Sequence, residues 1–233
     1  MSDEQAKPDG PTTLAEQLYA RLRRDVIMGS LEPGTRLKLE KLSKSYEVSI
    51  NTMRETLSRL ASDGLVLAEG QRGFTVPAVS LEDLRDITEM RQLLECHALR
   101  QSIAQADLEW EAQIVGCYHK LSRVEAVVED DPDRYGEDWE RYNNEFHNAL
   151  ISNCGSRWLL LFRQTMYEQS QRYRMLSLKT RPFPRAQSAR EHKEILDAAL
   201  ARDSDRAVAL LQAHILKGAQ TVSVSEDGHK NGS

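Results

Sequence analysis

Two groups of residues have the types and spacing to do chemistry. His147, His192 and His214 each have apolar residues about one helical turn away: Leu150 and Ile151, Ile195 and Leu196, Leu210 and Leu211. Residues three and four apart share a helix face, so the three imidazoles are expected to point inward. Neutral imidazole is a common ligand for Zn, Ni and related divalent ions, and three inward rings make a metal centre the sharper reading. The plainer reading is three core histidines, each hydrogen-bonded to a neighbour. The second group is in NTMRETLSRLASDGLV, residues 51–66. Met53, Leu57 and Leu60 fall on one helical face, while Asn51, Thr52, Arg54 and Arg59 fall elsewhere. Asp63-Gly64 ends the helix, because glycine takes the left-handed cap cheaply. A short helix that keeps amide, hydroxyl and guanidinium groups off its apolar face could read another molecule.

The elements that must hold this helix can be read around it. Thr13-Leu-Ala-Glu16 is a capping box, and the helix it opens carries Leu14, Leu18, Leu22, Val26 and Ile27. Gly29 and the Glu32-Pro-Gly34 turn end it, and residues 39–46 form a short second helix. Ser49 caps the third helix. Leu-Val-Leu and Phe-Thr-Val then flank Gly70-Gln-Arg-Gly73, the pattern of a hairpin with a basic tip. Three helices and a hairpin predict a winged helix-turn-helix over residues 12–79, preceded by a disordered stretch at 1–11. Such a helix fits the major groove of double-stranded DNA, where base pairs differ in donor and acceptor pattern. Asn51 and Thr52 lie at the end that meets base edges, and Arg54 reaches a guanine edge or a phosphate. The helix start capped by Ser49 adds N–H groups near a phosphate. Lys38, Lys41 and Lys44 hold backbone phosphates, Arg59 adds to the polar side, and Arg72 beside Gly73 enters or straddles a minor groove. A compact helical domain with a solvated charged face is the plainer alternative.

Charge separates this region from the remainder of the chain. Lys and Arg outnumber Asp and Glu by two over residues 12–79, whereas the chain as a whole carries −5. Beyond Pro77 strand signals cease. Helices are predicted over about 80–105, 107–129, 135–153, 156–180, 188–202 and 204–220, with Ser80-Leu-Glu-Asp83 and Ser188-Ala-Arg-Glu191 as capping boxes. The expected fold is mainly α: a winged helix-turn-helix, an all-α bundle at 80–221 and a flexible tail at 222–233. Cys96, Cys117 and Cys154 are scattered and odd in number, the polar N-terminus is not a signal peptide, and WLLLF at 158–162 is too short to span a bilayer. A cytoplasmic protein with no membrane partner is expected.

The run PGTRL…LEKLSKSYEVSINTMRETLSRLASDGLVLAEGQRGFTV resembles the DNA-binding domain of the GntR family of bacterial transcription regulators. The helical remainder resembles the FCD-type ligand-binding domain of its FadR subgroup. NCGSRWLL…QRYRMLSLKT is reminiscent of carbon-starvation-type regulators of dicarboxylate catabolism. The resemblance carries DNA contact onto Arg54 and onto the wing at Arg72 and Gly73. It also marks departures: Ile50 and Glu40 stand where the family commonly places Arg. The FCD type implies a metal held by Asp-x-x-x-His, His and His. Here Asn143 takes the Asp position before His147, and an amide oxygen brings no charge. The implied effector is a small carboxylate completing the metal's coordination, with Arg91, Arg172 and Arg174 as candidate clamps; surface ion pairs are the alternative for these arginines. The expected function is a homodimeric repressor of transcription released from operator DNA by that carboxylate, a dicarboxylate among the options. The competing reading is a metal-dependent enzyme built on His147, His192 and His214, against which stands the absence of HExxH, a nucleophile elbow or a phosphate-binding Gly loop.

Overall fold

Thr13 starts the first helix with both arms of a reciprocal cap. Its hydroxyl accepts the Glu16 N–H, and the Glu16 carboxylate accepts the Thr13 N–H at 2.8 Å. The computed structural model describes residues 13–70, 73–128, 131–180 and 185–220, so the expectations for 1–11, Arg72 and 222–233 lie outside the described residues. The chain divides into two units, Met1–Ala78 and Val79–Ser233.

In the first unit α1 (Leu14–Ile27), α2 (Leu39–Ser45) and α3 (Ile50–Ser62) enclose Leu18, Leu22, Val26, Leu42, Met53, Leu57 and Leu60. Between α2 and α3 the Val48 N–H returns to the Ser43 carbonyl at 3.0 Å, and Glu47 has φ 55°. A non-glycine side chain in that region crowds its own backbone. The expected hairpin is present as β2 (Leu67–Ala68) and β3 (Phe74–Thr75), with Leu67 opposite Thr75 and Ala68 opposite Phe74. A further strand, β1 (Arg36–Leu37), pairs with the other edge of β3 to give the antiparallel order β1-β3-β2. Gly70 and Gly73 have φ of 54° and 93°, and the Glu69 N–H donates to the Gly73 carbonyl at 2.8 Å, closing the hairpin.

The described part of the second unit is helical throughout: α4 (Leu81–Ala104), α5 (Leu108–Glu125), α6 (Pro132–Ile151), α7 (Arg157–Thr180), α8 (Arg185–Leu200) and α9 (Ser204–Gln220). Its core includes Leu99, Ile114, Leu121, Trp139, Phe146, Leu150, Ile195 and Leu211. Two helix starts differ from expectation. α6 begins at Pro132, since proline is tolerated at a first helical position where no N–H bond is required; Asp131 caps it by accepting the Arg134 N–H at 3.1 Å. α8 begins at Arg185, so Ser188 is a buried residue within the helix and Ser188-Ala-Arg-Glu191 is not a capping box. Glu191 is drawn instead to His214 and Lys217. At α4 the Ser80 hydroxyl accepts the Asp83 N–H at 3.0 Å, as expected of a cap. The returning arm is replaced by Tyr173 of α7, whose hydroxyl donates to Asp83 at 2.5 Å and accepts the Ser80 N–H at 3.3 Å. No helix among the described residues is long and apolar enough to cross a membrane.

Candidate metal centre and candidate nucleic-acid interface

α6, α8 and α9 bring His147, His192 and His214 together, with one ring nitrogen from each lying within 4.8 Å of the other two. A carboxylate stands behind each ring. Glu125 Oε1 is 2.7 Å from His192 Nδ1 and Glu191 Oε2 is 2.8 Å from His214 Nδ1. Glu95 Oε2 is 3.4 Å from His147 Nδ1, too long for a good hydrogen bond. A carboxylate at Nδ1 fixes the tautomer and turns Nε2 into a lone-pair donor. His192 Nε2 and His214 Nε2 then face each other at 3.2 Å. Two lone pairs that close repel unless a proton or a cation lies between them. Asn143, on the His147 face of α6, donates its amide to the Tyr167 hydroxyl at 2.9 Å, while its buried Oδ1 has no partner. The donor set therefore fits a divalent cation.

Electrostatics keep His147 and His214 in the ligating form. Burial lowers His147 well below the ordinary imidazole range, and burial together with His192 lowers His214 to about 4. Burial pushes the Glu191 carboxyl up, but hydrogen bonds from His214, Lys217 and Gln187 outweigh it and bring it to about 2. Burial likewise opposes ionisation of Glu95, and Arg91 and Arg163 hold it well below the carboxylate range nonetheless.

Beside the histidines is a cavity of about 90 Å³ whose wall includes Asn143, His147, His214, Arg91 and Arg174. Arg91 donates through Nε to Glu95 at 2.7 Å; its two terminal nitrogens donate to no described residue. Arg174 is held through all three nitrogens: Nε and one terminal nitrogen donate to Glu140 and the other to Ser170 at 2.6 Å. Arg172 is buried and does not line the cavity. Arg91, Arg163 and Arg174 all lie over the Tyr167 ring, at 5.1, 4.3 and 4.4 Å from its centroid.

In the first unit, Ser49 caps α3 by accepting the Thr52 N–H at 3.1 Å, and its hydroxyl meets that of Thr52 at 2.8 Å. Lys38, Lys41, Lys44, Asn51 and Arg54 are exposed, and none makes a side-chain hydrogen bond or ion pair among the described residues. Arg59 is engaged within the unit, with its guanidinium 4.0 Å from the Tyr19 ring centroid. Gly73 lies at the base of the wing, and Glu40 and Ile50 are exposed.

Sequence reasoning missed Glu95, Glu125, Glu191, Glu140, Arg163 and Tyr167. Glu95 stands four residues after Arg91, a spacing that reads as an ordinary surface pair. Glu191 reads as one arm of the supposed cap. The signal that could have found Glu95 is its place among apolar Leu94, Ala98 and Leu99 on α4.

Two family models match this chain, one in each unit. The profile of bacterial regulatory proteins of the gntR family matches residues 14–76, and that of the FCD domain matches residues 86–217. The HTH-type transcriptional regulator BphR of Paraburkholderia xenovorans (strain LB400) is 44% identical over 204 residues, 87% of this chain and 82% of its own length. The HTH-type transcriptional repressor GlaR of Escherichia coli (strain K12) is 31% identical over 201 residues, 85% of this chain and 90% of its own. The solved structure of E. coli McbR/YncC has a TM-score of 0.73 at 20% identity, covering 90% of this chain and 97% of that one, a likeness of fold alone.

Proposed function

The chain belongs to the GntR family of bacterial transcription regulators, with an FCD domain behind its winged helix and no enzymatic role, and from that premise we propose a metal-dependent, carboxylate-released repressor. A homodimer binds a pseudo-palindromic operator in the cytoplasm, one unit per half-site. Asn51, Thr52 and Arg54 read the major groove from the start of α3, Lys38, Lys41 and Lys44 hold phosphates, and the wing around Arg72 and Gly73 meets the adjacent minor groove. Ile50 offers a thymine methyl an apolar contact, and Glu40 repels phosphate, so the operator differs from that of relatives with Arg at both places. Trp158, Leu161 and Phe162 leave an exposed apolar face on α7, which the second copy covers.

The observation carrying the effector half is the convergence of three carboxylate-backed imidazoles beside a cavity that Arg91 enters. His147, His192, His214 and Asn143 would hold a Zn- or Ni-like ion, and the ion would polarise and orient a carboxylate. Arg91 and Arg163 already balance the buried Glu95, and Arg174 balances Glu140. A divalent cation therefore adds uncompensated charge that favours an anion. Occupancy biases the dimer toward a spacing of its reading heads that no longer matches DNA.

Two measurements test this. Protein purified without chelator should hold about one equivalent of metal per chain, and His192→Ala should lose it while the metal-free dimer still binds operator; wild type holding less than roughly a tenth of an equivalent removes the metal. Operator affinity should fall steeply as salt rises, through counterion release. A flat salt profile, or no preference over random duplex, removes the DNA reading.

A further inference from the structure

The effector reading leaves open what kind of carboxylate enters, and the cavity wall carries that answer further. α4 presents Leu84, Thr88 and Arg91 along one stripe of the wall. Seven residues at 1.5 Å each put the apolar and cationic ends about 10 Å apart. The cationic end, shared with His147, His214 and Asn143, has one guanidinium with unused donors, that of Arg91. At the other end Leu84 packs with Tyr173 and Ala219, and Ile215 joins them on the wall. Each cation that could hold a second carboxylate already faces one of the protein's own. Arg174 has all three nitrogens bonded to Glu140 and Ser170, and Lys217 donates to Glu191 at 2.8 Å. Three of the hydroxyls on the wall are also engaged: Thr88 donates to the Leu84 carbonyl at 2.6 Å, Ser170 to the Tyr167 carbonyl at 2.7 Å and Tyr173 to Asp83. A carboxylate pressed against Leu84, Tyr173 and Ala219 would be desolvated with no partner, which is strongly unfavourable. An alkyl or aryl group there would gain by leaving water.

We infer that the ligand is a monocarboxylate with an apolar body, its carboxylate on Arg91 and its body along Leu84, Tyr173, Ile215 and Ala219. The inference rests on the carboxylate-effector reading and narrows it away from dicarboxylates. A single guanidinium sets the charge end, and the length of the wall beyond it selects for carbon rather than a second acid.

Hexanoate, adipate and hexan-1-ol share a six-carbon chain and differ only at their ends, so they separate the two ideas. Each is titrated into the full chain, with and without one equivalent of Zn²⁺, by calorimetry and by the fluorescence of Trp139 on the cavity wall. Hexanoate should bind at least about tenfold tighter than either other probe. Adipate binding as tightly as hexanoate overturns the apolar end and leaves the general carboxylate reading standing. Hexan-1-ol matching hexanoate, or no binding by either acid, overturns both. Ala219→Arg, at a partly exposed position near the end of α9, supplies the missing second cation without disturbing the metal side. It should raise adipate affinity and lower that of hexanoate; an unchanged ratio removes Ala219 from the ligand's path.

Discussion

The two units place their charges in opposite ways. On the first, Lys38, Lys41, Lys44, Asn51 and Arg54 stand exposed with no side-chain hydrogen bond or ion pair among the described residues. In the second, Arg91, Glu95, Glu140 and Arg163 are buried, and Arg163 reaches Asn144, Asn148 and Glu95 without touching solvent. An outward, solvated set suits a large polyanion that brings its own charges and displaces counterions. An inward, mutually compensated set suits a small ligand, because the desolvation has been met during folding and the donors are already aimed. The contrast fits the proposed pair of partners of very different size, met through much the same residue types.

The contrast can be broken most forcefully at Glu95. Glu95→Gln leaves Arg91 and Arg163 buried without their carboxylate and should cost about 3–5 kcal/mol in urea unfolding. Glu40→Gln, on the exposed set, should stay within about 0.5 kcal/mol while tightening operator binding. Equal losses from the two would erase the distinction. Acid gives the next largest effect. His214 titrates at about 4 when folded, against an ordinary 6.5. The unfolded chain therefore takes up a proton first, so stability falls as pH drops from about 6.5 to about 4 and levels off below. The loss from this group in the metal-free protein is about 3 kcal/mol; pH-dependent unfolding of metal-free wild type against metal-free His214→Gln isolates it. Arg54→Ala should weaken specific operator binding by about 1–3 kcal/mol if the guanidinium contacts a base, with folding stability unchanged. Arg59→Ala should do the reverse, losing about 0.5–1 kcal/mol of stability from its stack on Tyr19. Smallest is Glu47→Gly, expected to stabilise by up to about 1 kcal/mol in thermal melts by relieving the left-handed backbone between α2 and α3.

What the sequence disclosed tracks the range of the interactions concerned. α1 and α3 were legible because Leu18, Leu22 and Val26, then Met53, Leu57 and Leu60, repeat at the helical period, and because Thr13 and Ser49 cap through bonds three residues long. β1 was not, since two residues carry no alternation to read. His147, His192 and His214 could be picked out by type and apolar company. Their carboxylates could not: Glu125 meets His192 across 67 residues of chain, and nothing local marks it. Ser188 and Glu191 show the opposite failure, a short-range pattern overridden when Glu191 finds His214 on another helix.

Tyr173 serves two masters. Its ring forms part of the cavity wall beside the histidines, while its hydroxyl stands in for the missing arm of the cap at the first turn of α4. A single side chain thus couples the shape of an interior space to the integrity of the helix start that comes directly after Val79. Anything that tilts the ring to make room must stretch or release the bonds to Ser80 and Asp83, turning a change of volume inside the bundle into a change of order where the chain enters it.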